Sequence, residues 1–138
     1  MRGPFGLIGA GEDPLAHDAA IARNLARCLR PGARLVLTAS NGLRFLRQYS
    51  AEDVAAGTFD PATFTERVSM EWEAEGGARQ VIVYEHGHRP EELQALFAYT
   101  GFTVEHVGGG TAGNWGRRPL EAEEFEIMLI AERIGVTP

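Results

Sequence analysis

Apolar residues recur at two different spacings along this chain, and the switches between them lay out its elements. Phe5 to Ile8 is a short apolar run that reads as a strand, followed by a loop of glycine and acid, Gly9 to Pro14 (GAGEDP). From Pro14 to Arg30 the spacing is helical: Ile21, Leu25, Cys28 and Leu29 share one face. Asp13 is placed to cap this helix and Pro14 to occupy its first position. Pro31-Gly32 stops it and turns the chain. Leu35 to Ala39 is the next strand: Leu35, Val36 and Leu37 form an apolar run bounded by Thr38, Ser40 and Asn41, which suits a buried strand of a parallel sheet.

The middle of the chain changes to shorter elements. Asn41 to Tyr49 reads as a short helix or turn with a basic face, and Ser50 with Asp53 three residues later marks another helix start. Phe64, Val68, Met70 and Trp72 alternate with Thr65, Arg67, Ser69 and Glu71, which predicts a half-buried strand, with Glu66 the polar exception on the apolar side. Gly76-Gly77 is a hairpin turn, and Gln80 to Glu85 returns as the partner strand. A second helix follows Pro90, with Glu91 and Glu92 suited to its positive end and Leu93, Leu96 and Phe97 as its buried stripe. Gly101 closes it. Phe102 to Val107 and Glu124 to Glu132 predict two further strands, separated by the glycine-rich loop Gly108 to Pro119. No repeat or linker interrupts the series, so residues 1–138 read as a single domain of α/β class, with a hairpin insertion at about 62–86.

Composition narrows the function classes. The net charge is -6 and the 13 basic residues are all arginine, so there is no general attraction for nucleic acid or an anionic membrane. The single cysteine, Cys28, excludes an internal disulfide and a cysteine-based metal cluster. It lies on the apolar helix face, where it is expected buried and inert. The absence of a 20-residue apolar run or a leader-like start gives a cytoplasmic expectation.

The order of elements resembles that of class I S-adenosylmethionine (SAM)-dependent methyltransferases. RCLRPGARLVLTASN is similar to the family's "vLkPGGrlvl" helix-turn-strand segment, RPEELQALFAYTGFTVEHV to its later helix and strand, and EEFEIMLIAER to its final strand. The resemblance runs from the family's fourth strand onward, which makes Phe5 to Ile8 that strand and the chain the carboxyl-terminal half of the fold. It implies a partial doubly wound, Rossmann-like sheet with an inserted antiparallel hairpin, and methyl transfer from SAM to an unidentified acceptor, a small molecule being one possibility. The family's principal cofactor loops have no match in this sequence, so the lone chain is expected to be incomplete or inactive. A fourth strand without its usual neighbour implies an exposed apolar edge at Phe5 to Ile8, and hence a homodimer through that edge or a missing amino-terminal half.

Two other readings stay open. One is a non-catalytic interaction or dimerisation module derived from a methyltransferase. The other is a fragment of a dinucleotide-binding oxidoreductase that uses GLIGAG (Gly6 to Gly11), although the acid expected after the next strand is replaced by Asn41, Gly42 and Arg44. The resemblance assigns Gly9, Gly11, Glu12 and Asp13 to the border of the cofactor. Ser40 and Asn41 are candidates for substrate contact. Trp115, Arg117 and Arg118 offer an aromatic face and two guanidinium groups for a flat or anionic substrate. Glu12, His17 and His86 are the candidate bases, with nothing to select among them. His86 and His88 form an HGH pair with no third ligand nearby in sequence, so no metal is expected.

Overall fold

The computed structural model describes residues 5–9 and 11–135. Its elements are β1 (Leu7–Ile8), α1 (Pro14–Cys28), β2 (Arg34–Ser40), α2 (Gly42–Gln48), α3 (Ala51–Ala55), β3 (Phe59–Asp60), β4 (Thr65–Ala74), β5 (Gly77–His86), α4 (Pro90–Ala98), β6 (Phe102–Gly109) and β7 (Glu126–Arg133). They form a three-stranded sheet of order β2-β7-β6 and a four-stranded sheet of order β1-β5-β4-β3. β7 runs antiparallel to both neighbours, which leaves β2 and β6 pointing the same way. α4 connects β5 to β6 and packs on β6 and β7. The core lies between the helices and the three-stranded sheet, where Ala22 and Ala26 of α1 and Leu93 and Phe97 of α4 meet Ala39, Phe102, Ile127, Leu129 and Ala131.

The local chemistry explains the helix ends. The Asp13 side chain accepts the Leu15 N–H at the start of α1, Asn41 accepts the Leu43 N–H at the start of α2, and Ser50 and Asp53 make a reciprocal capping box on α3. The Gly76-Gly77 turn has positive φ at both residues, 95° and 124°, which a glycine adopts without steric cost.

Four sequence expectations are corrected by the packing. First, the Phe5 to Ile8 stretch reduces to the two-residue strand β1, and it pairs antiparallel with β5 (Leu7 with Glu85, Ile8 with Tyr84) rather than lying beside β2. The hairpin takes one of its edges, and β1 remains the end strand of that sheet, with an open edge of only two half-buried residues among the described residues. Second, α1 buries Pro14, His17, Asp18, Ala22 and Ala26, with Cys28 exposed. Close approach to the sheet selects the alanine stripe, and the larger residues flank it. Third, β2 is an edge strand with Val36 63% exposed, because α1 and α4 cover only the opposite face of this sheet. Fourth, the outer half of the β4–β5 hairpin stands in solvent: Met70 and Trp72 are 52% and 50% exposed, so alternation there marks two faces of a ribbon rather than a core side.

The two sheets are joined where β5 ends. The His86 N–H donates to the Gly6 carbonyl, the His88 N–H to the Ser40 carbonyl, and the Gly42 N–H to the His88 carbonyl. Residues 86–88 therefore lie between the start of the chain and the carboxyl end of β2. Gly42 and Gly87 face each other at this seam so closely that a Cβ on Gly87 would sit 2.7 Å from the Gly42 Cα.

Candidate functional site

Ligands of open α/β sheets bind beyond the carboxyl ends of the strands. At that end of β2 the inserted sheet folds over the loop that leads from β1 into α1. The result is a cleft of about 630 Å³, lined by Gly9, Gly11, Glu12, Asp13 and Pro14 on one side and by Phe59, Asp60, Thr63, Thr65, Arg67 and Tyr84 on the other. Thus the four residues that the family resemblance assigned to the cofactor border do share one cleft; Ala10 lies outside the described residues. The loop is folded onto itself. The Gly9 N–H donates to Glu12 Oε2 at 2.9 Å, and the Glu12 N–H donates to the Gly9 carbonyl at 3.1 Å. With Asp13 capping α1, the helix start already has a carboxylate, a poor setting for a pyrophosphate.

A second cleft of about 430 Å³ adjoins the first through Asp13, Pro14 and Thr63, and His86, Arg89 and Glu92 form part of its wall. Phe64 is also in this wall and holds φ at 53°, a conformation uncommon for an aromatic residue. Its carbonyl accepts the Gly87 N–H at 2.8 Å, which ties the residue to the seam between the sheets.

Behind that wall lies a buried polar cluster. His86 Nδ1 is 2.7 Å from the Thr63 carbonyl and its Nε2 is 2.7 Å from Glu92 Oε1. A carbonyl and a carboxylate both only accept, so with Glu92 ionised the ring carries a proton on each nitrogen. Burial pushes the His86 pKa down, but Glu92 and the Thr63 carbonyl outweigh it and hold it above the ordinary histidine value. Burial likewise pushes Glu92 up, and its bond to His86 brings it below the usual carboxylate range. Asp18, on α1, accepts from His88 Nε2 at 2.7 Å through Oδ2, and from His17 Nδ1 at 2.9 Å and the Gly6 N–H at 3.0 Å through Oδ1. Those bonds overcome the cost of burial and keep Asp18 lowered.

The remaining sequence candidates are committed elsewhere. His17 is wholly buried against Asp18, so it is a partner of that carboxylate rather than a base facing a cleft. Asn41 is also fully buried: its amide donates to the Ala122 and Glu124 carbonyls while its oxygen caps α2, which occupies the groups expected to meet substrate. Ser40 is half-buried, and its carbonyl accepts the His88 N–H. Arg117 pairs with Glu105 at 3.1 Å, and Arg118 pairs with Glu124. Glu124 also accepts from Thr111 and from the Glu121 N–H, which braces the Gly108 to Pro119 loop internally. Trp115 is 54% exposed on that loop, outside both clefts.

Sequence reasoning missed Asp18, Asp60, Arg67 and Tyr84, read Glu92 only as a helix-start acid, and weighed His88 as a metal ligand only to set it aside. Asp18 had a readable signal, since positions 14, 18, 22 and 26 form one helical stripe and the other three are Pro, Ala and Ala. It also supplies the third group, 70 residues from His88 in sequence, whose absence was the reason to expect no metal.

No family model matches the chain, and no curated protein does. Solved structures do match. The CcbJ methyltransferase from Streptomyces caelestis aligns with a TM-score of 0.62 at 17% identity, over 86% of this chain and 54% of that one. The fold is a partial Rossmann-like methyltransferase fold. An S-adenosylmethionine-dependent methyltransferase from Clostridium acetobutylicum ATCC 824 aligns with a TM-score of 0.54 at 7% identity, over 88% of this chain and 52% of that one. The chain spans about half the length of the solved structures it matches. At these identities the likeness is one of fold.

Proposed function

We propose that this chain is the acceptor-side half of a SAM-dependent methyltransferase, equivalent to the family's fold from its fourth strand onward, and that it acts with a cofactor-binding half outside these residues. The observation that carries the reading is the 630 Å³ cleft between the Gly9 to Pro14 loop and the inserted sheet, at the end of the fold where ligands bind. SAM would supply an electrophilic methyl group on a sulfonium. The residues here fit the edge of that group rather than all of it. Glu12, Asp13 and Asp60 place acid around the cleft, with Arg67 in the opposite wall, but Gly9 is already bonded to Glu12, and the family's principal cofactor loops have no match in this sequence.

What the chain's own residues do is position. The inserted sheet forms one wall of the cleft, so an acceptor held against Tyr84, Thr63 and Thr65 meets their hydroxyl groups opposite the Gly9 to Pro14 loop. Among the three candidate bases, His17 is sealed away and His86 has both ring nitrogens engaged, by the Thr63 carbonyl and Glu92. Glu12 is the one that lines the acceptor cleft. A non-catalytic module remains the second reading, favoured by the exposed Met70, Trp72 and Val36 that such a module would use for partners.

The test is NMR titration of the chain with S-adenosylhomocysteine, with NAD in parallel. Millimolar binding with shifts centred on Gly9, Gly11, Glu12 and Asp13 is expected. Shifts confined to the outer hairpin, or none, would favour the module. A stronger response to NAD would favour an oxidoreductase fragment.

A further inference from the structure

The buried cluster behind the second cleft has no part in the reaction proposed above, and it contains more than a fold needs for stability. Asp18, His86 and His88 each offer a ligand atom, and these atoms all lie within 4.8 Å of one another. The three residues are 1%, 4% and 1% exposed. Burying a carboxylate and two imidazoles is costly unless every polar atom is met. Here one is not: His88 Nδ1 is buried and has no hydrogen-bond partner. The His88 ring is fixed all the same, stacked on Phe5 at 4.8 Å and set edge-on to His86 at 4.6 Å. Asp18 meets the ring's other nitrogen, Nε2, so an ion shared by Asp18 and His88 takes the place of the proton in that hydrogen bond.

We propose that Asp18, His86 and His88 form a binding site for a divalent transition-metal ion that clamps α1 to the β5–α4 connection. Two imidazoles and one carboxylate suit Zn²⁺, Co²⁺ or Ni²⁺ better than Ca²⁺ or Mg²⁺, which favour all-oxygen sets. The surroundings match the way metal ligands are usually held. His17 and the Gly6 N–H both bond Asp18 Oδ1 and so orient its second oxygen toward His88. The Thr63 carbonyl holds His86 Nδ1, which turns Nε2 toward Glu92, a further carboxylate at the cluster's rim. The second cleft, with His86 and Glu92 in its wall, gives an ion a way in. On binding, the ion takes the place of ring protons, which leave to solvent.

The site is tested on the untagged chain, freed of metal and titrated with Co²⁺. One equivalent should bind and give the visible absorption of a low-coordinate cobalt centre, displaced by Zn²⁺. His88→Ala and Asp18→Asn should weaken binding at least about 10-fold, while His106→Ala, which changes the one histidine outside the cluster and its Asp18 and His17 partners, should leave it unchanged. X-ray absorption on the zinc-loaded parent chain, which depends on no variant, should show two imidazoles in the first shell. An all-oxygen or single-imidazole shell, an absence of one-equivalent binding, or unchanged affinity in folded His88→Ala would overturn the site.

Discussion

Replacing Gly87 by Ala tests whether the seam between the two sheets holds the site together. Gly87 does not require positive φ, so alanine suits its backbone and the effect is steric alone. The added Cβ would stand 2.5 Å from Cε2 of Phe45 and 2.7 Å from the Gly42 Cα. Phe45 is fully buried and packs edge-on to Phe59 and Tyr49, so its ring has little room to yield. Backbone Gly42 can move only by lengthening the bonds between residues 40–42 and His88. Overpacking of this kind costs about 1–3 kcal/mol, and weakening those two hydrogen bonds adds about 1 kcal/mol. A total of about 3 kcal/mol in a domain of this size lowers Tm by on the order of 10 °C. The assay is thermal unfolding followed by circular dichroism, with Gly135→Ala, where a Cβ meets nothing within 4 Å, as the control. A Gly87→Ala variant that melts within about 2 °C of its parent would refute the reasoning, because the close approach would then have to relax at almost no cost.

The other expectations follow from charge and exposure. Glu124 is held at a pKa of about 2 by Arg118, the Glu121 N–H and Thr111, against an ordinary 4.5; a depressed folded value means its stabilisation is full above about pH 4.5 and is lost as pH falls toward 2. Glu124→Gln should cost about 2 kcal/mol at neutral pH and flatten that acid limb in pH-dependent denaturant melts; an unchanged limb would show that the loop does not depend on the carboxylate. Cys28 is exposed, so in the folded chain it should react with Ellman's reagent at a rate near that of a free thiol, and protection until unfolding would contradict its position on α1. Tyr49 donates to Glu66, which is buried, so Tyr49→Phe should lower stability by about 1–2 kcal/mol in urea melts. No loss would mean that water serves Glu66 equally well.

The sequence by itself determined the elements and their order, because these depend on local physics. Asp13, Asn41 and Ser50 cap the helices that follow them, Gly76-Gly77 turns the hairpin, and the spacing of Leu93 and Phe97 sets the inner face of α4. The methyltransferase-like layout was legible for the same reason, since it is a statement about order. Which apolar residues end up covered was decided only by the tertiary structure. Val36, Met70 and Trp72 have the pattern of buried strand residues but face solvent, because burial depends on a neighbour that their own segment cannot specify. The same holds for the polar groups. Arg117, Arg118 and Asn41 look available in sequence, yet the fold pairs the two arginines with Glu105 and Glu124 and turns the Asn41 amide to carbonyls more than 80 residues away. The Asp18–His86–His88 cluster is the converse case: 70 residues separate Asp18 from His88, and only the folding of β5 back across the end of β2 brings them within hydrogen-bond reach.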